Sequence, residues 1–280
     1  MTGTGRVVAL RTYPVKGCAG TELAAADLTP AGLAHDRTFM VVDEHGTFRT
    51  QRGLPRLATI RPDVRAGGAE LLLRAPGVED LRLAVDLDAP RRPVDLFGSP
   101  LRGIDQGDEV AAWFSDVLGA ASRLVRVPPE HDRATGGETP GTCAYADSGA
   151  LLITSRASLE ELNRRIGERG APPVPMDRFR PNVVVDGWAE PHVEDQARDV
   201  RIGDAELGFA KLAVRCAVTL VDQRAGVRAG PEPLRTLAGY RRVTAAGVAF
   251  GAKFSVLRPG RPAVGDEVRV QRWTAGPVTA

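Results

Sequence analysis

Short apolar runs, closed off by glycine, proline or acidic and amide residues, recur along this chain and constrain it to a strand-rich fold. Val8 and Leu10 alternate with Ala9 and Arg11. TFMVV (38–42) leads through Asp43-Glu44-His45-Gly46 into TFRTQ (47–51), the pattern of a hairpin with a glycine-containing loop. Further strands are expected at ELLLR (70–74), LRLAV (81–85), NVVVD (182–186), VRIGDAELGF (200–209), LAVRCAVTLVD (212–222), AKFSVLRP and VRVQRW. Gly203-Asp204 suits a tight type II′ turn. Helical spacing is confined to a few places. Val110, Trp113, Phe114, Val117 and Leu118 fall at i, i+3, i+4, i+7 and i+8, with Gly119 placed to end the helix. A second helix is expected from Ser158, with Glu161 completing a capping box and Leu159, Leu162 and Ile166 as its buried stripe. A short helix is expected around 234–240.

With 280 residues the chain can hold one large domain or two small ones. Residues 128–142 are rich in Pro, Gly and Thr without periodicity, and read as an exposed loop or linker and a mobile flap. The fold class that follows is mixed α/β and β-rich. An N-terminal β-barrel-like subdomain spans 1–127, the loop 128–142, a C-terminal β-barrel 143–273, and a tail 274–280.

A net charge of +2 is too small to point to nucleic acid or an acidic membrane surface. No apolar run approaches the roughly 20 residues of a membrane helix, and the start lacks a secretory h-region. A cytoplasmic location is therefore expected, with neither nucleic acid nor membrane as partner. Cys18, Cys143 and Cys216 are odd in number and far apart, which speaks against a disulfide framework and against a cluster held by four cysteines. No CxxC or HxxxH pair suggests zinc, and no GxGxxG suggests a dinucleotide site. Of 37 basic residues only Lys16, Lys211 and Lys253 are lysines, so a lysine carries more information here than an arginine.

Three constellations can carry chemistry. Cys216 lies within a strand pattern beside Arg215. It reads either as a small buried hydrophobe or as a thiolate, which an adjacent guanidinium favours and which binds soft metals or attacks electrophiles. RFRPN (178–182) sets Arg178 and Arg180 at i, i+2 on one face of an entering strand, a fork suited to phosphate, or else a plain loop in an arginine-rich protein. YPVKGCAG (13–20) puts Lys16 at a strand end before Gly17 and Gly20, either as an anion contact or as a surface lysine beside a turn.

The order YPVKGC, HDRTFMVVDEHG, TQRGLPRL, DQGDEVAAWFS, SRASLEELN, RFRPNVVV, RCAVTLVDQRAG, then FGAKFSVLRPG with VGDEV, resembles the MOSC family over roughly residues 5–272. The likeness is to the subgroup with an N-terminal MOSC β-barrel, that of the amidoxime-reducing components. The resemblance implies a molybdenum cofactor (molybdopterin), with Cys216 as the thiolate on the metal. It implies that Lys16, Arg37, Arg180 and Asn182 approach the cofactor, with Asp147, Ser148 and Asp222 near the site; Arg178, from the arginine pair, is counted with the cofactor contacts. Many members have serine after the YPVK lysine; Gly17 stands here, and that hydroxyl donor is missing. Pyridoxal phosphate binding is a description attached to the family as a whole. The implied activity is reduction of small N-hydroxylated or N-oxide compounds. The chain ends a few residues after its last strand pattern, so electrons are expected from a separate electron-transfer protein. The alternatives are a non-catalytic carrier of the cofactor or its sulfur and, from the residues alone, a metal-free cysteine-dependent transferase.

Overall fold

The computed structural model of the protein describes residues 4–243 and 247–274. The expected tail has only Thr274 among them; its other residues lie outside. Strand β1 (Gly5–Thr12) buries Val7 and Leu10, three residues apart, because a bulge between Val7 and Ala9 shifts its register. Simple alternation pointed to Val8 instead, and the bulge is what overrides it. The chain then makes β2 (Val15–Lys16) and β3 (Thr21–Leu23) before the wholly buried β4 (Phe39–Val42).

The hairpin expected after β4 closes only in part. Asp43 Oδ1 accepts from the backbone N–H groups of His45 and Thr47, which makes the turn. Phe48 then bridges once to Val42 and Thr47 once to Asp95. Residues beyond leave the sheet, and Gln51 and Arg52 are free to line a cleft. Next come the meander β5 (Arg61–Arg65), β6 (Glu70–Arg74) and β7 (Leu81–Ala84), then the hairpin β8 (Arg91–Leu96) and β9 (Ser99–Asp105). Helix α1 (Asp108–Leu118) has the expected buried face, packed on Leu57, Ile60, Leu71 and Leu73, and ends at left-handed Gly119. With β10 (Arg123–Arg126), the larger N-terminal sheet runs β8-β9-β10-β4-β2.

Residues 128–142 make backbone pairings of their own. Ala134–Thr135 pairs with Gly141–Thr142, and the N–H groups of Glu138 and Thr139 donate to Ala210 and Phe209. The chain continues through β11 (Leu151–Ser155), α2 (Arg156–Glu168), β12 (Val183–Asp186), β13 (Ala197–Ile202) and β14 (Ala205–Arg215). It ends with α3 (Leu234–Leu237), β15 (Val248–Arg258) and β16 (Glu267–Trp273). The expected capping box at Ser158 does not form. Ser155 caps α2 by accepting from Ser158 N, while Ser158 turns inward and its hydroxyl, with that of Ser155, donates to the buried carboxylate of Glu194. Glu161 instead faces outward to Arg164 and Arg165.

Among the described residues these strands close a seven-stranded barrel, in the order β12-β11-β15-β14-β13-β16-β1 and back to β12. Its closing stave is β1, from the far end of the chain, antiparallel to both β12 and β16. Closure leaves few exposed edges, and β1 hands the chain on to β2 in the other sheet, so the two parts share a continuous backbone crossing. No helix among the described residues is long and apolar enough to cross a membrane. A fragment of residues 128–280 lacks this stave. We expect it to show no cooperative thermal transition by near-ultraviolet circular dichroism, and a synthetic peptide of residues 4–24 to restore one; a fragment that melts cooperatively alone would refute the role given to β1.

Candidate functional site

The cleft lies where the barrel end meets the N-terminal sheet. The barrel contributes Val214 and Arg215 at the end of β14, Cys216 just after it, Lys253 on β15, and Arg180 and Asn182 before β12. From the other side come Lys16 at the end of β2, Arg37 before β4, the segment Phe48–Arg52, and Phe97 at the β8–β9 turn. Asp147 and Ser148 lie between.

Cys216 is not inside a strand as expected. β14 stops at Arg215, and the Cys216 carbonyl accepts from Thr219 N at 3.1 Å and Thr219 Oγ1 at 3.0 Å, starting a turn of 3-10 helix. Its thiol is exposed. Cys18 and Cys143 are buried; desolvation pushes the Cys18 thiol up to about 12 and raises that of Cys143. Among the described residues no group of three or more His, Cys, Asp or Glu side chains is arranged to hold a metal ion. A metal beside Cys216 must therefore bring most of its ligands with it.

The expected arginine pair parts company. Met176–Phe179 forms a 3-10 turn and Arg180 takes a left-handed conformation (φ 56°), so the two side chains do not share a strand face. Arg180 enters the cleft, its guanidinium 4.3 Å from the Tyr13 ring and donating to Gln223 Oε1. Arg178 stays behind. It donates to Thr219 O and faces the Asp222 carboxylate at 3.6 Å, while Asp222 Oδ1 accepts from Arg224 N and Ala225 N. Neither Arg178 nor Asp222 lines the cleft; together they brace the loop that carries Cys216.

Asn182 lines the cleft with no hydrogen to offer a ligand. Its Nδ2 donates to Arg11 O and Asp36 Oδ1, and its Oδ1 accepts from Leu152 N and Arg37 Nη1. Arg37 is likewise held by Asp36 and by Arg180 O, and its guanidinium also lies 4.3 Å from the Tyr13 ring. Lys16 donates to Tyr145 O and to Asp147, and Lys253 to Ser148 Oγ at 2.6 Å.

Seven cationic side chains and a single carboxylate, Asp147, line the cleft. Burial lowers Lys16, lowers Arg215, and brings Arg180 down to about 10. Lys253 falls to about 8, through burial and then the nearby charges of Arg215, Lys211 and Lys16, against the pull of Asp147. Burial opposes the charge of Asp147, yet Lys16, Lys253 and Arg37 hold its carboxyl well below the usual carboxylate range. Arg215 donates to Phe179 O, but its buried Nε has no partner. Such a concentration of desolvated, partly unmatched cations is a site for an anion. Arg215 and Lys253 were legible only indirectly, as the neighbour of Cys216 and as one of three lysines. Nothing in the pattern singled out Gln51, Arg52 or Phe97.

A family model described as "MOSC N-terminal beta barrel domain" matches residues 4–121, and one described as "MOSC domain" matches residues 140–269. The chain is 34% identical to mitochondrial amidoxime-reducing component 1 of Mus musculus, over 94% of this chain and 82% of that protein. It is 35% identical to mitochondrial amidoxime reducing component 2 of Rattus norvegicus over the same shares. It is 32% identical to molybdenum cofactor sulfurase of Anopheles gambiae over 83% of this chain but 32% of that protein.

Sulfate, whose charge is constant near neutrality, probes the cation cluster. Its affinity, measured by calorimetry, should fall several-fold as pH rises through about 8, because Lys253 gives up its proton there and not in the ordinary lysine range. Lys253→Arg keeps the charge and should flatten that fall. A level profile in the parent protein would remove Lys253 from anion binding.

Proposed function

This chain belongs to the MOSC family, and from that premise we propose that it is a molybdenum cofactor-binding oxidoreductase. On this reading it reduces N-hydroxylated or N-oxide compounds with electrons from a separate donor protein. The observation that carries the proposal is a lone accessible thiol, Cys216, on the wall of a cleft whose charged lining is seven cations to one carboxylate. The residues fit the group. A soft thiolate suits molybdenum, the lack of a metal-ligating cluster among the described residues suits a metal that arrives with its own sulfur ligands, and the cations suit a phosphate. Bound there, the cofactor would supply two dithiolene sulfurs, a phosphate and the metal that performs oxygen-atom chemistry.

The chain's own residues have separable tasks. Cys216 Sγ would complete the sulfur set, its backbone held in place by the Thr219 hydrogen bonds and the Arg178–Asp222 brace. Lys16, Arg180 and Arg215 offer charge-assisted donors to the anion, while Asn182 and Asp36 fix Arg37 beside them. Gly17 adds no hydroxyl. Converting an N–OH group to N–H consumes two electrons and two protons and releases water. Lys253 Nζ, brought down to about 8 in a buried setting, can give a proton to the departing oxygen near neutral pH. A second reading, a carrier of the cofactor or its sulfur, draws support from the likeness to a molybdenum cofactor sulfurase.

Cys216→Ala should leave a folded protein without working molybdenum, while Cys18→Ala and Cys143→Ala retain the metal. Metal content and thermal unfolding read the two effects apart, since loss of one small side chain costs the fold at most a few kcal/mol, about what a single truncation does. Turnover of an amidoxime with reduced methyl viologen, and none with NADPH alone, separates an enzyme with an outside electron source from a carrier. Retained activity in Cys216→Ala would overturn the ligand assignment.

Lys16→Ala and Arg180→Ala should each weaken cofactor retention by about ten- to a hundredfold, matching roughly 1.5–3 kcal/mol for a charge-assisted hydrogen bond. Arg164→Ala, on the outer face of α2 between Glu161 and Glu168, serves as control. Equal occupancy in all three would sink the phosphate clamp.

A further inference from the structure

The tip of the β8–β9 hairpin carries an aromatic residue where the backbone disfavours one. Leu96 pairs with Ser99, so Phe97 and Gly98 alone form the turn, and both have positive φ, 58° and 78°. That is the geometry of a type I′ turn, in which asparagine or glycine is the comfortable first residue and a bulky side chain is strained. Phe97 also stays 47% exposed. A strained, exposed phenylalanine that filled no core would be easily lost, and such outliers gather where something else requires them. Its ring is nonetheless held firmly. It meets Phe48 edge-on at 4.5 Å, with the Lys16 ammonium 5.2 Å and the Arg52 guanidinium 5.7 Å from its centre.

On the barrel side of the same cleft Val214, two residues before Cys216, is 48% exposed at the end of β14. Six large apolar side chains are exposed among the described residues, and only Phe97 and Val214 of these line the cleft. One comes from each half of the protein, beside the cations and the more buried apolar side chains Phe48, Leu151, Leu152, Phe179 and Val218 of the same lining. An anion has no use for these two surfaces, whereas a flat apolar group does.

We infer that Phe97 and Val214 form an apolar subsite for the body of the substrate, and that the preferred N-oxygenated substrates carry an aromatic ring on the carbon that bears the N–O group. This rests on the reading of the cleft as a reductase site. Phe97 is then a specificity-determining residue kept in a strained turn for its contact with substrate.

The test uses molybdenum-loaded protein without reductant, so that calorimetric titration reads binding alone. Benzamidoxime and acetamidoxime share one reacting group and differ as phenyl against methyl. The parent protein should bind the phenyl compound about tenfold more tightly, the size expected for burying one aromatic face. Phe97→Asn should reduce that preference to about twofold, leave acetamidoxime binding and molybdenum content unchanged, and melt at the same temperature or higher because asparagine suits the turn. Phe97→Leu, still apolar, should fall between. An unchanged preference in Phe97→Asn would overturn the inference, as would loss of molybdenum, which would assign the ring to the cofactor. A lower melting temperature with both compounds weakened alike would make Phe97 a packing residue and overturn it too. Turnover with reduced methyl viologen is read separately: its absence, with the phenyl preference intact and lost in Phe97→Asn, would sink the reductase reading and uphold the subsite.

Discussion

The carboxylate of Asp36 is the point at which the two halves of this protein are fastened. It is buried in the seam, and a carboxylate taken out of water must be matched by donors or the fold loses several kcal/mol, of the order set by an unpaired buried charge. The donors are Tyr13 N, Asn182 Nδ2 and the Arg37 guanidinium, from three segments far apart in sequence. Asn182 extends the network to Arg11 O and Leu152 N, the latter next to the start of β11. Tyr13 completes it, with its hydroxyl on Pro181 O and with Arg37 and Arg180 each 4.3 Å from its ring. Fixing the crossing from β1 to β2 in this way also fixes Lys16, two residues beyond Pro14. The cation cluster is thus a consequence of how the barrel is closed.

That cluster works against the stability of the fold. Elsewhere arginines face carboxylates, as Arg164 faces Glu161 and Glu168, or Arg92 and Arg123 face Asp105. In the cleft Arg180, Arg215 and Lys253 are desolvated with Asp147 as the one carboxylate among the lining residues, and the downward displacement of each records the resulting penalty. A chain selected for stability alone would dilute such a group of like charges. An anionic ligand that stabilises them explains their persistence, and explains why the chain keeps two of its three lysines there.

Much of the fold was legible because its signals are local. The apolar stripe of α1, the stop at Gly119 and the turn at Gly203-Asp204 depend on neighbouring residues and appear where the spacing put them. The bulge in β1 and the use of β1 as a stave depend on pairings with residues near 183–186 and 267–268, which no local pattern encodes. The site divided in the same way. The chemistry of Cys216 and of the lysines could be read from residue type, whereas the separation of Arg178 from Arg180 hinges on one left-handed residue. The i, i+2 spacing gives a shared face only if both residues are extended, and here they are not.

The departure from strand at Cys216 has a functional logic of its own. Inside β14 the side chain would point either into the barrel, as Leu212 does, or outward with no backbone group to restrain its neighbours. One residue past the strand, the thiol is exposed while its backbone is anchored twice to Thr219. Thr219 is in turn gripped by Arg178, whose other contact is Asp222. On the proposed reading, exposure with rigidity suits a ligand to an incoming metal, because an ordered donor loses little entropy on binding. The same arrangement accounts for two residues that looked like cofactor contacts in the sequence. Arg178 and Asp222 are not among the residues that line the cleft, and their contacts reach the thiol through the loop.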